Sequence, residues 1–264
     1  MPAARRVASK STRITETAYF SPARPRVFAH RGLAVGAPEN TLLAFAQALA
    51  LGITHLETDV HASADGVAIV SHDPDLVRLT GREVRIADLT AADLSRIDLG
   101  AGQNFSTLGE VLDAFPDARF NIDIKAAAAA APTAAAIRAA NAESRVLIGS
   151  FSNARRQAAI RLLPGVATSA SAGAVLVATW AAAVGLRVVT KAALRSVDAV
   201  QIPERILRVR STSRRVLRAF HAAGVEVHIW TINDAATMNR LLDAGVDGIM
   251  TDRADIAVEV LARR

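Results

Sequence analysis

The sequence predicts an α/β fold, a closed (β/α)8 TIM barrel with a small insertion after its second strand. Three observations predict it. Short β-rich stretches alternate with helical stretches along almost the whole chain. Eight of the strand-like stretches are separated by segments long enough for parallel crossovers. A length of 264 residues suits one such barrel. An open, doubly wound sheet is the competing arrangement.

Taken in order, the opening stretch MPAARRVASKSTRITETAYFSPARPR carries early positive charge but no continuous apolar run. It is not read as a signal peptide or membrane span. Residues 1–25 are expected as a flexible arm, and a soluble, cytoplasmic protein is the default reading. VFAH (27–30) is the first strand, before a helix starting near Asn40 or Thr41. HLETDV (55–60) alternates polar and apolar residues and is the second. The turn signal Asp65-Gly66 precedes another extended stretch, VAIVSHD (67–73). The following segment, about 74–103, is too long for an ordinary loop and is expected as the insertion, with a short helix capped at Thr90 and Asp93 three residues on.

FNIDIK (120–125) is the third barrel strand, followed by an alanine-rich helix opening near Pro132. RVLIGS (145–150), VATS (166–169), DAVQIP (198–203), VEVHIWTI (225–232) and DGIMTD (247–252) continue the series. Helices are expected over about 153–162, 172–184 and 211–222, and from Asn233-Asp234 to Gly245. LRVVT (186–190) is strand-like and peripheral. No fixed-period repeat and no linker interrupts the chain, so 26–264 is expected as one domain.

Composition narrows the chemistry. Hydrophobic residues make up 51% and charged residues 21%, enough for a sizeable core. The absence of cysteine excludes disulfides, thiolate catalysis and thiolate metal ligands. The formal charge of +6 is concentrated in Arg205, Arg208, Arg210, Arg214, Arg215 and Arg218. Such a cluster either attracts an anionic substrate, membrane or nucleic acid, or is a solvated helix face. No stacking aromatics are interleaved with it, so nucleic acid is not an expected partner. Transient membrane contact stays open, and the oligomeric state is not readable.

The polar residues most in need of explanation stand at strand C-termini, which converge on one mouth in a barrel. His30 and Arg31 close the first strand, Glu57 and Asp59 lie on the second, Asp123 and Lys125 close the third, and Asp252 follows the eighth. A spacing of two puts Glu57 and Asp59 on one face, and likewise Asp123 and Lys125. Burying these acids together calls for a cation. Oxygen-only ligands suit Mg2+, Ca2+ or Mn2+. A surface-facing acidic pair is the other reading, and His55 and His61, which share the parity of the acids, leave a histidine-containing metal site open. His30 and His72 each follow an apolar strand segment; if both strands point to the mouth, one imidazole would take a proton and the other give one. A structural hydrogen bond is the alternative for either ring. His221 and His228 read as structural. Arg31 and Lys125 supply positive charge for an anionic diester, and Gly32 would let backbone approach phosphate.

At these residues the chain resembles the glycerophosphodiester phosphodiesterase family. The likeness is carried by AHRGLAVGAPENTLLAF (29–45), HLETDVHASADGVAIVSHDPDLVRLT (55–80), DLTAADL (88–94), FNIDIK (120–125), VHIWTIND (227–234) and GVDGIMTDRAD (245–255), nearly the whole chain. The resemblance implies a (β/α)8 barrel that hydrolyses glycerophosphodiesters to glycerol 3-phosphate and an alcohol. It implies catalytic roles for His30 and His72, metal binding by Glu57, Asp59 and Asp123, and phosphate binding by Arg31 and Lys125. Asp123 stands where the family has glutamate, one methylene longer, which leaves the choice of ion open. Glu39 is expected near the mouth, supporting the histidines or binding glycerol. Asn40 reads equally well as a helix cap. Trp230 matches a substrate-wall aromatic, with core packing the alternative, and Gln201 is expected to add a polar contact.

Two routes to the products are open: direct attack of water on phosphorus, or prior attack by the glycerol 2-hydroxyl through a cyclic diester, which is favoured by its tethered nucleophile. Hydrolysis of a lysophospholipid is the neighbouring activity and would need an apolar rim or a membrane-facing loop, either of which the 74–103 segment could supply. A phosphoinositide-type phospholipase fits the motif pattern less well. A non-catalytic phosphate-binding module would not need an acid/base pair.

Overall fold

A computed structural model describes residues 18–264. Its centre is one sheet whose strands are β1 (Arg26–His30), β2 (His55–Ala62), β3 (Ala68–Val70), β4 (Arg119–Ile124), β5 (Val146–Gly149), β6 (Ala167–Thr168), β7 (Ala199–Ile202), β8 (Glu226–Ile229) and β9 (Gly248–Thr251). The parallel order is β6-β5-β4-β2-β1-β9-β8-β7, with β3 antiparallel on β2. The seam between β6 and β7 is closed by a bridge from Ser169 to Ala199 and by the Asp198 N–H donating to the Thr168 carbonyl at 2.8 Å. The fold is therefore the expected eight-stranded parallel barrel.

Each strand is buried on both sides, as a barrel wall must be. The outward residues, among them Leu56, Phe120, Ile122, Ile148 and Val227, pack in one core with the helices that cover the wall. Those helices are α1 (Leu42–Ala50), α2 (Leu108–Ala114), α3 (Ala130–Ala139), α4 (Asn153–Leu162), α5 (Ala172–Val184), α6 (Arg187–Ala193), α7 (Arg214–Ala222), α8 (Ala235–Ala244) and α9 (Ala254–Ala262). A thin apolar layer of Phe28, Leu147, Ala167, Ala199 and Met250 forms a separate cluster inside the barrel.

Below that layer the interior is polar. Arg26 holds Glu226 through two bonds, Nε–Oε2 at 2.9 Å and Nη2–Oε1 at 3.0 Å, and His228 Nε2 lies 3.0 Å from the same Oε2. Of the arm expected over residues 1–25, the structure describes residues 18–25. Ala18–Phe20 forms a 3-10 turn with Tyr19 fully buried against His55. Arg26 donates to the Phe20 carbonyl at 2.8 Å, and His55 Nε2 lies 2.9 Å from that of Tyr19. This turn caps the barrel floor, where an open end would leave polar groups unpaired. The rest of the expected arm, residues 1–17, lies outside the described residues.

One other expectation changes. Residues 186–190, expected as extended, begin α6: Val188 and Val189 are β-branched, but the helix buries Thr190 and packs on α5. The insertion does lie after β3, and Thr90 makes a capping box with Asp93. Its apolar residues Leu76, Ile86, Leu94 and Ile97 turn inward on Ile69 and Phe105 to make a small core of their own.

Candidate active site

β1 and β2 run in a register that pairs His30 with Glu57; β2 and β4 pair Glu57 with Asn121 and Asp59 with Asp123. Paired residues on parallel neighbours share a face. All five side chains therefore enter the barrel near its C-terminal mouth, where they line a cavity of about 610 Å3. Arg31, His72, Lys125, Gln201 and Trp230 line the same cavity. Glu39 does not.

After His30 the chain turns sharply, with Arg31 at φ 60° and Gly32 at φ 82°. The turn aims Arg31 back over the acids. Its N–H donates to Glu57 Oε2 at 3.1 Å, its Nε lies 3.3 Å from Asp59 Oδ2, and its Nη1 donates to Glu39 Oε1 at 3.0 Å. Gly32 packs against the helix: a Cβ there would fall 2.6 Å from the carbonyl carbon of Ala44 in α1. Thr41, not Asn40, caps α1. Asn40 turns inward instead, donating to Asp59 at 3.3 Å and accepting from the Thr58 hydroxyl at 2.8 Å.

The charges are arranged unequally. Lys125 Nζ bridges Asp59 at 2.8 Å and Asp123 at 2.7 Å. Burial opposes the charge on both Lys125 and Asp59, but their pairing wins: the ammonium is held above its ordinary range and the Asp59 carboxyl below its own. Glu57 has no such partner. Burial and then the charge of Asp59 push its carboxyl well above the ordinary range.

Both candidate histidines are oriented by an aspartate through Nδ1. Asp252 Oδ1 lies 2.6 Å from His30 Nδ1, and the other Asp252 oxygen accepts from the Asn233 amide at 2.8 Å. Asn233 Oδ1 in turn accepts from the Asp252 backbone N–H at 2.9 Å. Burial disfavours imidazolium at His30, yet the bond to Asp252 and the charge of Glu57 together more than offset it and raise its pKa. His30 Nε2 then points toward Glu57, 3.9 Å from Oε2. His72 Nδ1 lies 2.8 Å from Asp73 Oδ1. Arg78 ties Asp73 to Glu39, at 2.5 Å and 2.6 Å. Glu39 thus clamps Arg31 and Arg78. The remaining histidines stand apart: His61 Nε2 is 3.1 Å from the His72 carbonyl, and burial drives the His55 pKa down to about 3.

The donor set fits a hard divalent cation. It is all oxygen, and it contains at Glu57 a buried carboxyl that no Lys or Arg side chain bridges, with only the His30 imidazole 3.9 Å away. Beside it the Asn121 Oδ1 has no hydrogen-bond partner among the described residues. No three carboxylates or imidazoles among the described residues form a ready-made cage. Lys125 instead spans two of the acids.

Sequence reasoning did not give roles to Asp252, Asn233, Asp73 or Arg78. Asp252 and Asn233 sit in stretches already quoted, one after β9 and one after β8, and convergence of strand ends is the signal that pairs them. Arg78 and Asp73 had none beyond proximity to His72.

The opposite wall is apolar: Phe151, Val175, Leu176, Pro203, Ile206 and Leu207. Trp230 stands there edge-on to Phe151, ring centroids 6.0 Å apart. The insertion contributes no lining residue, because its apolar side chains fill its own core. The rim expected from residues 74–103 comes from the loops after β5 and β7 and from α5.

The sequence profile of the glycerophosphoryl diester phosphodiesterase family matches residues 30–256. A "Probable glycerophosphodiester phosphodiesterase 2" of Mycobacterium tuberculosis is 45% identical over 238 residues, covering 89% of this chain and 90% of that protein. The crystal structure of a glycerophosphodiester phosphodiesterase from Thermotoga maritima superposes with a TM-score of 0.70 at 26% identity, over 89% of this chain and 97% of that one. Human lysophospholipase D GDPD1 is 38% identical over 109 residues, 36% of this chain and 35% of that protein.

Proposed function

This chain belongs to the glycerophosphoryl diester phosphodiesterase family and is a phosphodiester hydrolase, and from that premise we propose that it cleaves glycerophosphodiesters to glycerol 3-phosphate and an alcohol, with His30 and His72 moving the protons and a divalent cation held by Glu57, Asp59 and Asp123. One observation carries the reading: two imidazoles, each anchored at Nδ1 by an aspartate, line one cavity with a row of buried acids and two cations.

The residues act as follows. Anchoring at Nδ1 leaves Nε2 of each ring for the substrate. One imidazole accepts the proton of the attacking hydroxyl as its oxygen bonds to phosphorus. The other gives a proton to the leaving alkoxide as its P–O bond breaks. In the favoured route the attacker is the glycerol 2-hydroxyl, and water then opens the cyclic diester with the proton roles reversed. Arg31 and Lys125 counter the charge of the diester. A bound Mg2+, Ca2+ or Mn2+ would neutralise charge gathering on the phosphoryl group. Gln201, whose Nε2 is buried without a partner among the described residues, is a donor for a substrate oxygen.

The test is a panel of glycerophosphodiesters assayed after chelation, with Mg2+, Ca2+ and Mn2+ restored separately. Replacement of His30 or His72 by alanine is expected to lower kcat by about 10²–10⁴-fold. Wild-type turnover by both variants, or full activity in chelator, would remove the mechanism. Normal turnover of a 2-deoxyglycerol substrate would remove the cyclic route.

The apolar wall favours a second substrate reading. A cavity of about 610 Å3 with Phe151 and Leu207 60% and 74% exposed at its edge has room for one acyl chain as well as glycerophosphate. Lysophospholipids are then alternative substrates, and KM falling with acyl length in monomeric solution is the result that distinguishes them.

A further inference from the structure

α5 contains no charged residue, yet one of its faces is open to solvent. Leu176, Val177, Trp180 and Val184 follow one another at helical spacing and are 41%, 50%, 43% and 59% exposed. The opposite face, with Val175, Ala178 and Ala182, is buried in the core. The patch continues into α6, where Val188 is 84% exposed, and across to Leu207 on the loop after β7. Contiguous apolar surface of this kind marks an interaction site.

Its border is basic. From Leu186 to Arg218 the sequence carries nine basic residues and two acids, Asp198 and Glu204. All nine cations are exposed, and none forms an ion pair with a described residue. Both acids are engaged: Glu204 pairs with Arg240 at 2.7 Å, and Asp198 accepts from the Thr168 N–H at 2.9 Å. α5, α6 and α7 pack on one another. The Arg215 guanidinium lies so close over Gly185, at the end of α5, that a Cβ there would collide with it. The cations and the apolar face are thus one surface. Leu176 and Leu207 belong both to it and to the cavity wall.

We propose that this face docks on an anionic lipid bilayer and sets the cavity mouth against it. Apolar side chains that enter the interface, together with cations that meet lipid phosphates, are the two signals that reversible membrane binding requires. A second copy of the chain fits worse, because a symmetric pair would bring the two basic borders together. Nucleic acid would use the cations but leave the aliphatic face uncovered. The inference rests on the surface and not on the reaction, and binding is read without turnover, so either can fail alone.

The experiment is co-sedimentation of the full chain with phosphatidylcholine vesicles, with and without phosphatidylglycerol, at low and high salt. Two triple variants are compared: Trp180→Ser with Val184→Ser and Val188→Ser, and Arg187→Glu with Lys191→Glu and Arg195→Glu. Wild type is expected to bind the anionic vesicles and lose them at high salt. The charge-reversal variant is expected to weaken binding by about a hundredfold or more. The apolar variant is expected to weaken it by about tenfold. Both should turn over a water-soluble glycerophosphodiester as wild type does, which also reports an intact fold. Equal binding to neutral and anionic vesicles, or none, would overturn the proposal. So would vesicle binding indifferent to the apolar substitutions, duplex DNA displacing the vesicles with both triple variants affected alike, or a lipid-free dimer that the apolar substitutions abolish.

Discussion

Asp252→Asn is expected to lower kcat by about 10–30-fold while leaving KM and the fold nearly unchanged. The perturbation is nearly isosteric. It removes the charge that accepts from His30 Nδ1 at 2.6 Å and leaves the Asn233 side chain facing a residue whose amide can orient either way. A hydrogen bond to a charged group contributes about 1.5–3 kcal/mol. The Asp252 side chain is 49% exposed, so water competes for it and the low end applies. About 1.5–2 kcal/mol at about 1.4 kcal/mol per decade gives the stated range. Steady-state kinetics on a soluble glycerophosphodiester would show the loss in kcat, and thermal melting would stay within about 2 °C because the site is half open. Asp252 acts through His30, so Asp252→Asn in a His30→Ala background should cost almost nothing more. An undiminished kcat, or a full further loss in that background, would refute the positioning role.

Other outcomes follow from different parts of the molecule. Glu226→Gln strands the buried Arg26 guanidinium and is expected to cost about 3–5 kcal/mol of stability, seen in urea unfolding, with kcat of the folded enzyme unchanged. Burial opposes the charge of Glu226, but His228 and Arg26 hold its pKa down at about 2. A depressed carboxyl stabilises the fold fully above its unfolded value near 4.5 and loses that contribution as pH falls toward 2, so the wild-type acid limb in this window should flatten in Glu226→Gln. Gly32→Ala forces a Cβ to 2.6 Å from the Ala44 carbonyl carbon at a φ of 82°, and about 2 kcal/mol or more should be lost in unfolding, with normal stability the refuting result. Leu207→Ser with Phe151→Ser should raise KM for an acylated substrate several-fold more than for glycerophosphodiesters with small alcohols; equal effects on both would show that the apolar wall is not a chain site.

The barrel was legible because its strands carry chemistry on one parity and core on the other. Glu57 and Asp59, or Asp123 and Lys125, can alternate with buried wall residues such as Leu56, Thr58, Val60 and Ile124 only in a strand whose inner face holds a polar site. Their register across β2 and β4 then followed from parallel pairing. Short contacts between distant loops were less legible. The pairing of His30 with Asp252 joins residues at the two ends of the barrel sequence, and only closure brings them together. Tyr19 and Phe20 lack any periodicity, since a single turn plugging a floor needs none. Val188 and Val189 pointed to a strand by local preference and were overruled by packing. The apolar rim was sought in the longest loop; the insertion is large enough to bury its own apolar residues, whereas the short segments near Phe151 and Leu207 are not.

Phe28, Leu147 and Met250 form a thin apolar layer across the inside of the barrel, and it sets the Arg26–Glu226 pair apart from His30 at the mouth. On β1 the residues run Arg26, Phe28, His30, so the Arg26–Glu226 pair and His30 are separated by four residues of strand, about 13 Å. At that range, with an effective dielectric of about 20, two unit charges interact by about 1.3 kcal/mol, and the opposite charges of paired Arg26 and Glu226 largely cancel as felt by His30. Mutations that retune proton transfer at the top can therefore accumulate with little penalty in the electrostatic anchor at the bottom. The same separation lets the anchor be strengthened without detuning the chemistry.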